Sequence, residues 1–171
     1  MVEQALSGVL IVDDHPVIAR ACRVVLEPLG IDQIISASTV DAGYEAFVEH
    51  EPEVSVIDLT LHKEPLAGVT LIKRIRAYAA RANVLVFSMR SDRNSFFSAI
   101  EAGASGYVIK DSPTVEFARA VEEIKSGRRY IDTQLALNLS FSRNAALTAR
   151  EQRIIDLLMH DITARNDIGL Q

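Results

Sequence analysis

The sequence predicts an α/β fold in which five consecutive strand–helix units form a doubly wound parallel sheet, followed by a short helical C-terminal segment. Short aliphatic runs alternate with amphipathic stretches through residue 127. Most of these runs are apolar throughout, as expected when helices cover both faces of a sheet. The 171 residues, of which 49% are hydrophobic, suffice for one compact domain and a smaller appendage.

The predicted strands and helix boundaries follow in chain order. The strands are "VLIVDD" (9–14), "QIISA" (33–37), "VSVID" (54–58), "NVLVFS" (83–88) and "GYVIK" (106–110). Pro16 suits the first turn of the first helix, and Ser38 with Asp41 resembles a capping box before the second. Pro113 suits the first turn of the fifth helix, behind a capping Ser112. Glycines stand where helices are expected to end, at Gly30, Gly103 and Gly127.

Four parts are expected along the chain. They are a tail (1–7), the α/β domain (8–127), a linker (128–146) and a C-terminal segment (147–171). The linker contains one predicted short helix around residues 132–140. In the C-terminal segment, Thr148 and Glu151 form a capping box, and apolar residues at 154, 155 and 158 mark one face of a further helix.

The composition limits what the chain can do. The formal net charge is −5, and neither half of the chain has the basic excess expected of a nucleic-acid-binding surface. Cys22 is the single cysteine, so no internal disulfide can form, and no histidine stands at metal-ligand spacing from it. The N-terminus lacks a basic leader, and no apolar run approaches the roughly 18 residues of a membrane span. We therefore expect a cytoplasmic protein that contacts no membrane.

Polar residues stand at the ends of four predicted strands. Asp13 and Asp14 end the first strand and Asp58 ends the third. Ser88 ends the fourth strand and Lys110 ends the fifth. In an open parallel sheet, ligands bind outside the carboxyl ends of the strands, where the strand order reverses. If the first and third strands are neighbours, these five side chains converge on one rim of the sheet.

Such a rim would suit a divalent cation and a phosphoryl group. Three close carboxylates repel one another, so either their pKa values rise or a cation lies among them. Aspartate oxygens suit Mg²⁺ better than zinc or copper. Lys110 and Ser88 add a positive charge and a hydrogen-bond donor for a phosphoryl group. Together these groups could form an aspartyl phosphate by attack of a carboxylate on phosphorus.

Each of these residues also has a purely structural interpretation. Asp13 and Asp14 could favour the N-terminal dipole of the helix that follows them. Asp58 could cap a helix or form a turn, and Lys110 could pair with Asp111 in solvent. The joint placement at four strand ends of one sheet favours a functional site over these separate explanations.

The motifs around these residues resemble those of a two-component response regulator. The stretches "IVDDHP", "VIDLTL", "FSMRSD" and "AIEAGASGYVIKDSP" are together specific for the receiver domain of that family, here residues 8–127. "DDHP" and "GASGYVIKDS" further resemble the NarL/LuxR subfamily, whose output is a four-helix domain with a helix-turn-helix. The resemblance implies a flavodoxin-like sheet with strand order 2-1-3-4-5.

The resemblance also implies roles for the acidic residues and the lysine. Asp58 would be the phosphoacceptor. Mg²⁺ would be held by Asp13, Asp14, Asp58 and the main-chain carbonyl of Thr60. Lys110 would contact the phosphoryl group. The chain would therefore be no enzyme, beyond at most removing its own phosphoryl group.

The resemblance further implies a conformational switch and two kinds of protein partner. Ser88 and Tyr107 would form the switch pair, which changes the surface of the fourth helix, fifth strand and fifth helix. Without the family, Tyr107 could simply be a half-buried strand aromatic. A sensor histidine kinase would donate the phosphoryl group, and a homodimer is possible through either of two helical faces.

The loop after Asp58 departs from the family pattern. The family usually has a proline four residues after the phosphoacceptor and a glycine four residues later. Here His62 stands at the proline position, and Pro65 and Gly68 stand further on, as if the loop had grown by two residues. The chemistry is expected to survive, because Thr60 would offer only its carbonyl. Partner contacts around the loop are expected to differ.

The C-terminal segment resembles the opening of a LuxR-type output domain, whose third helix enters the major groove of DNA. The stretch "ITARNDIGLQ" (162–171) stands at the position of the second helix and matches it poorly, because Gly169 interrupts it. No recognition helix follows, so we expect this chain not to bind DNA specifically. Either it was cut from a longer regulator that has DNA as a partner, or the natural protein signals through protein contacts.

Three other functions fit parts of the pattern. A Mg²⁺-dependent phosphatase of the haloacid-dehalogenase type also forms an aspartyl phosphate, but it needs a second aspartate where Thr60 stands. An unphosphorylated interaction module would not be expected to keep the complete acidic set together with Lys110. A flavodoxin-like cofactor binder would need a Ser-, Thr- or Gly-rich phosphate loop, where "DDHPVIAR" instead offers two negative charges.

Overall fold

In a computed structural model of the chain, which describes residues 8–141 and 147–166, six parallel strands form one sheet in the order β2-β1-β3-β4-β5-β6. The strands are β1 (Gly8–Val12), β2 (Gln33–Ala37), β3 (Val54–Ile57), β4 (Val84–Ser88), β5 (Gly106–Ile109) and β6 (Tyr130–Ile131). The helices are α1 (Pro16–Leu26), α2 (Val40–His50), α3 (Ala67–Tyr78), α4 (Arg93–Ala102), α5 (Thr114–Lys125), α6 (Thr133–Phe141) and α7 (Ala149–Asn166). The predicted doubly wound fold and the order of its five strands are confirmed.

Helices cover both faces of the sheet, and the core is accordingly divided into two layers. Alternate residues of a strand point to opposite faces. In β1, Leu10 belongs to the layer that contains Phe47 of α2 and Phe96 of α4. Ile11 belongs to the opposite layer, which contains Phe117 of α5. This double covering explains why the central strands are apolar at most positions, with Ser55 of β3 a buried exception.

The sheet contains one strand more than the sequence predicted. The predicted domain ended near residue 127, but β6 pairs with β5, with Gly106 opposite Tyr130. Tyr130 is buried, and its hydroxyl donates a hydrogen bond to Glu116 of α5 at 2.5 Å. A strand of two residues has too few positions for any periodicity to show in the sequence. The chain therefore enters α6 directly from the edge of the sheet.

Two of the predicted helix caps are wrong. Thr39, and not Ser38, caps α2, because its Oγ1 accepts a hydrogen bond from the main-chain nitrogen of Ala42 at 3.1 Å. Ser112 does not cap α5, which has no side-chain cap. Its hydroxyl instead donates a very short hydrogen bond to the carboxylate of Asp132. The contact between Ser112 and Asp132 joins residues twenty positions apart, so no local sequence pattern could reveal it.

The C-terminal segment packs against the α/β domain. The helix predicted around 132–140 is α6, and the predicted capping box of α7 is present, with Glu151 bonded to the main-chain nitrogen of Thr148 at 2.9 Å. Leu158 of α7 is buried in the same layer as α2, α3 and α4.

The described part of α7 runs without interruption to Asn166, so it includes the first five residues of the stretch 162–171 that stands at the position of the second output helix. Residues 162–166 contain no glycine or proline that would end a helix there. Gly169 and the rest of 167–171 lie outside the described residues, as does the polar linker at 142–146. Within the described ranges, every helix is too short or too polar to cross a bilayer.

Candidate functional site

Three aspartates meet at the carboxyl ends of two neighbouring strands. Val12 of β1 pairs with Ile57 of β3, so the residues that follow them, Asp13 and Asp58, lie side by side. One ligand atom from each of Asp13, Asp14, Asp58 and His15 lies within 4.8 Å of the others. Asp13 and Asp58 are buried. The convergence of the three aspartates that the strand order predicts is therefore present.

Lys110 enters this cluster from the end of β5. Its Nζ lies 2.5 Å from Oδ2 of Asp13 and 2.8 Å from Oδ2 of Asp58, and its side chain is 6% exposed. Burial alone would lower the pKa of Lys110, but its hydrogen bonds to the two carboxylates outweigh burial and raise the pKa above its ordinary value. The lysine is therefore a protonated, fixed cation between two carboxylates.

The remaining acceptors of the cluster suit a hard cation. Among the described residues, Oδ1 of Asp14 is buried and accepts no hydrogen bond, although Nδ1 of His15 lies 3.3 Å away. That nitrogen lies closer to Asp13, at 3.0 Å from Oδ1. A buried carboxylate oxygen without a donor is costly unless a cation compensates it. The all-oxygen set of Asp13, Asp14 and Asp58 fits Mg²⁺ by its chemistry.

The enlarged loop after β3 closes as a tight turn over the cluster. Leu61 and Glu64 form a small antiparallel bridge, with the main-chain nitrogen of Glu64 bonded to the carbonyl of Leu61 at 2.9 Å. His62 and Lys63 between them have positive φ angles of 50° and 65°. The main-chain nitrogen of His62 thereby donates to Oδ2 of Asp14 at 3.0 Å. The enlarged loop thus supplies a main-chain donor to the acidic cluster.

Thr60 and Gly68 surround the main chain at Asp58. The main-chain nitrogen of Thr60 donates to Oδ1 of Asp58 at 3.2 Å. Gly68, in the first turn of α3, passes so close that an added Cβ would lie 2.1 Å from the main-chain oxygen of Asp58. Asp58 is consequently held both by its own loop and by the start of α3.

Ser88 and Tyr107, the predicted switch pair, both bind the main chain of Arg90. Oγ of Ser88 accepts from the nitrogen of Arg90 at 3.3 Å, and the Tyr107 hydroxyl donates to the carbonyl of Arg90 at 2.6 Å. The Tyr107 ring is fully buried, 5.7 Å from the ring of Phe96 in α4. Burial raises the pKa of Tyr107, so its hydroxyl remains a hydrogen-bond donor. Tyr107 is therefore a core residue, not a half-buried one.

Arg90 and Asp132 are two residues at the site that sequence reasoning missed. The Arg90 side chain donates to Oγ of Ser95 at 2.6 Å, which ties the loop after β4 to the first turn of α4. Asp132 is a completely buried carboxylate between β6 and α6. The sequence pattern predicts only that it begins a helix. Only the run "YID" before a helical stretch could have pointed to a strand that ends in a capping acid.

Known proteins similar to this chain are response regulators. Residues 9–122 match the family described as the response regulator receiver domain. The methanol utilization control regulatory protein MoxX of Paracoccus denitrificans is 33% identical over 92% of this chain and 74% of its own length. The oxygen regulatory protein NreC of Staphylococcus haemolyticus is 27% identical over 77% of this chain and 60% of its own length.

A solved structure agrees with these relatives in both fold and sequence. The crystal structure of a two-component response regulator of the LuxR family from an Aurantimonas species has a TM-score of 0.73 and 31% identity to this chain. The match covers 80% of this chain and 96% of that one. The predicted resemblance to NarL/LuxR-type regulators is thus confirmed, and the chain belongs to the response regulator receiver family.

Proposed function

We propose that the chain is a phosphorylation-switched receiver whose phosphoacceptor is Asp58. The observation that carries this proposal is the pair of hydrogen bonds from Lys110 to Asp13 and Asp58, beside the unpartnered oxygen of Asp14. A partner histidine kinase supplies the phosphoryl group. The phosphorus–nitrogen bond of its phosphohistidine breaks, and a phosphorus–oxygen bond to Asp58 forms.

The residues around Asp58 have different roles in phosphoryl transfer. Asp13, Asp14, Asp58 and the main-chain carbonyl of Thr60 hold Mg²⁺, which when bound neutralises charge on the phosphoryl oxygens. Lys110 already lies 2.8 Å from Asp58, so its ammonium is in place to contact an incoming phosphoryl oxygen. Before transfer, the same ammonium bridges the two buried carboxylates of Asp13 and Asp58.

Phosphorylation is read out through Ser88 and Tyr107. The Ser88 hydroxyl turns toward the phosphoryl group and gives up its bond to the main chain of Arg90, which lies 3.3 Å away. Because Tyr107 binds the same residue and packs on α4, the loop and helix shift together. Two arrangements of similar free energy are enough for one modification to change this surface.

The helix that moves is bonded to the C-terminal segment. Arg93 of α4 donates to Glu151 of α7 at 2.6 Å, and Glu101 of α4 lies 3.2 Å from Arg150 of α7. A shift of α4 therefore alters the contact with α7. We infer that this contact links phosphorylation to the regulation of transcription, in a protein that carries a complete DNA-binding domain.

Intact-mass measurement after incubation with acetyl phosphate and Mg²⁺ tests the proposal. Wild type should gain one phosphoryl group, and Asp58→Asn should gain none. Asp111→Asn is the matched control, because this carboxylate is exposed and adjacent to Lys110. Equal labelling of Asp58→Asn and wild type would refute the assignment. Steady release of phosphate from small phosphoesters would instead favour the phosphatase, although Thr60 stands where that enzyme needs an acid.

Other parts of the proposal concern partners and location. We propose a cytoplasmic protein that meets a sensor histidine kinase and can form a homodimer. The chain spans about three quarters of MoxX but only 60% of NreC, so binding of DNA is proposed only for a longer protein with a recognition helix. We also propose that the chain catalyses nothing beyond the loss of its own phosphoryl group.

A further inference from the structure

Asp132 is a fully buried carboxylate that accepts four hydrogen bonds from two different parts of the chain. Its Oδ1 accepts from the main-chain nitrogens of Gln134 at 2.7 Å and Leu135 at 3.2 Å, which caps α6. Its Oδ2 accepts from the main-chain nitrogen of Ile109 at 3.2 Å and from the hydroxyl of Ser112. The two oxygens of one side chain therefore serve two separate structures.

The second of these structures is the loop that carries Lys110. Ile109 directly precedes Lys110 and Ser112 follows it by two positions, so Oδ2 of Asp132 holds the loop on both sides of the lysine. The main-chain nitrogen of Asp132 adds a third tie, to the carbonyl of Tyr107 at 3.0 Å. The path of the main chain from β5 into α5 is thus set by a residue of the linker, Asp132, which lies between β6 and α6.

A capping role alone does not account for this arrangement. The cap of α6 needs only Oδ1, which takes both main-chain donors of that helix. A buried carboxylate is tolerated only when hydrogen-bond partners surround it, and here two of its four donors are Ile109 and Ser112, on either side of Lys110. If the loop moved, Oδ2 would lose its partners in an apolar surrounding.

We propose that Asp132 is a positioning residue for Lys110, through which the start of α6 and the phosphoryl-accepting site influence each other. The inference rests on the proposed function and names a route of regulation at the same site. When Lys110 moves with the phosphoryl group, its loop moves as well. The hydrogen bonds of Asp132 then transmit this displacement to the cap of α6. Conversely, a change in the docking of α6 displaces Lys110, and because Lys110 contacts the incoming phosphoryl oxygen, the rate at which Asp58 is phosphorylated changes.

Two variants separate positioning from capping. Ser112→Ala removes one donor on the Lys110 side and leaves the cap of α6 untouched. Asp132→Asn places an amide that can keep the cap through its oxygen, but its NH₂ group then faces the main-chain nitrogen of Ile109. Thr133→Ala is the matched control, since Thr133 is the exposed first residue of α6.

The first measurement is the rate of phosphorylation of the full chain by acetyl phosphate at saturating Mg²⁺. Asp132→Asn should slow it about 10-fold or more, as is typical when an outer partner of a site residue is lost. Ser112→Ala should slow it less, and Thr133→Ala should leave it unchanged. Rates are compared at a temperature where thermal unfolding shows each variant to be folded.

The second measurement reads the lysine directly. The sequence has four lysines, so the Nζ resonance of Lys110 can be assigned by NMR with Lys110→Met as reference. Ser112→Ala and Asp132→Asn should shift this resonance, whereas a purely structural role would lower thermal stability and leave it in place. Should Asp132→Asn fail to fold, Ser112→Ala carries the test alone.

The outcomes distinguish the two ideas. A wild-type rate together with an unmoved Lys110 resonance in both variants would overturn the positioning role. Absence of labelling in wild type would overturn the proposed function, and the Lys110 resonance would still decide whether Asp132 holds the lysine. Slower labelling with a shifted resonance in the variants, but not in Thr133→Ala, would support the coupling.

Discussion

Gly68 is the position at which α3 passes closest to the main chain of Asp58. A Cβ added there would lie 2.1 Å from the carbonyl oxygen of Asp58 and 2.9 Å from Cα of Leu59. Ordinary contacts of a Cβ begin at 3.4 Å, so the first of these is short by about 1.3 Å. Gly68→Ala therefore forces the start of α3 and the residue after β3 apart.

The free-energy cost of this separation depends on the hydrogen bonds that hold the main chain at Asp58 and at Gly68 in place. The main-chain nitrogen of Asp58 donates to Val12 of β1 at 2.9 Å, and that of Gly68 donates to Leu59 at 3.0 Å. Neither main-chain segment can move aside as a flexible side chain would. We therefore expect the free energy of unfolding to fall by about 3 kcal/mol, the upper end of the range for overpacked sites. For a chain of this size that lowers the melting temperature by about 6–12 °C. A displacement of Asp58 by about 1 Å should slow its phosphorylation roughly 100-fold.

Thermal unfolding followed by circular dichroism measures the first effect, and the rate of labelling by acetyl phosphate measures the second. Gly127→Ala is the control, because Gly127 has a φ of +79° but no atom within 4 Å of the added Cβ. Its only cost should be the strain of an alanine in the left-handed region, about 1–2 kcal/mol, with labelling unchanged. A Gly68→Ala protein with wild-type stability and wild-type labelling would show that α3 does not approach Asp58 as described.

Three further changes test other contacts of the site. Lys110→Met removes the cation between the two buried carboxylates and should lower the free energy of unfolding by about 3–5 kcal/mol, measured by urea titration. Added Mg²⁺ should restore part of this loss. Tyr107→Phe keeps the ring but removes its bond to a main-chain carbonyl, which should cost about 1–2 kcal/mol in thermal unfolding. Arg93→Glu should speed hydrogen exchange in α7, and Glu151→Arg in the same chain should slow it again. The Arg93 hydrogen bond lowers the pKa of Glu151, so the Arg93–Glu151 ion pair should be intact at pH values above 4.5, the ordinary pKa of Glu151. It should weaken as the pH falls through the lower pKa that Glu151 has in the folded protein. Movement of the α7 amide resonances with pH would measure this.

The acidic site was predictable because it depends on a rule of topology rather than on local pattern. Once the apolar runs are assigned as parallel strands, the residues after them must share one edge of the sheet. Asp13, Asp58 and Lys110 are 45 or more positions apart in the sequence, and the strand order alone brings them together. The same rule needs no knowledge of the loops between the strands.

The parts that sequence reasoning missed are those set by single contacts between distant segments. Strand β6 has two residues and no period, and Asp132 reaches back 23 positions to Ile109. The sequence shows that the loop after Asp58 is enlarged but not its conformation, because non-glycine residues such as Lys63 seldom adopt the positive φ angles that the turn uses. Capping errors such as Ser38 for Thr39 arise because neighbouring hydroxyl residues are equivalent by propensity.

Tyr107 forms one hydrogen bond through its side-chain hydroxyl and another through its main-chain carbonyl. Two routes from the site therefore meet at this residue. Its hydroxyl donates to Arg90, whose side chain in turn holds Ser95 in the first turn of α4. Its main-chain carbonyl accepts from Asp132, whose carboxylate caps α6 and holds the Lys110 loop. One route reaches α7 of the C-terminal segment through α4, and the other reaches α6 of the linker. A displacement of Tyr107 that moves both its ring and its main chain therefore affects both helices, which favours a concerted change over a local one.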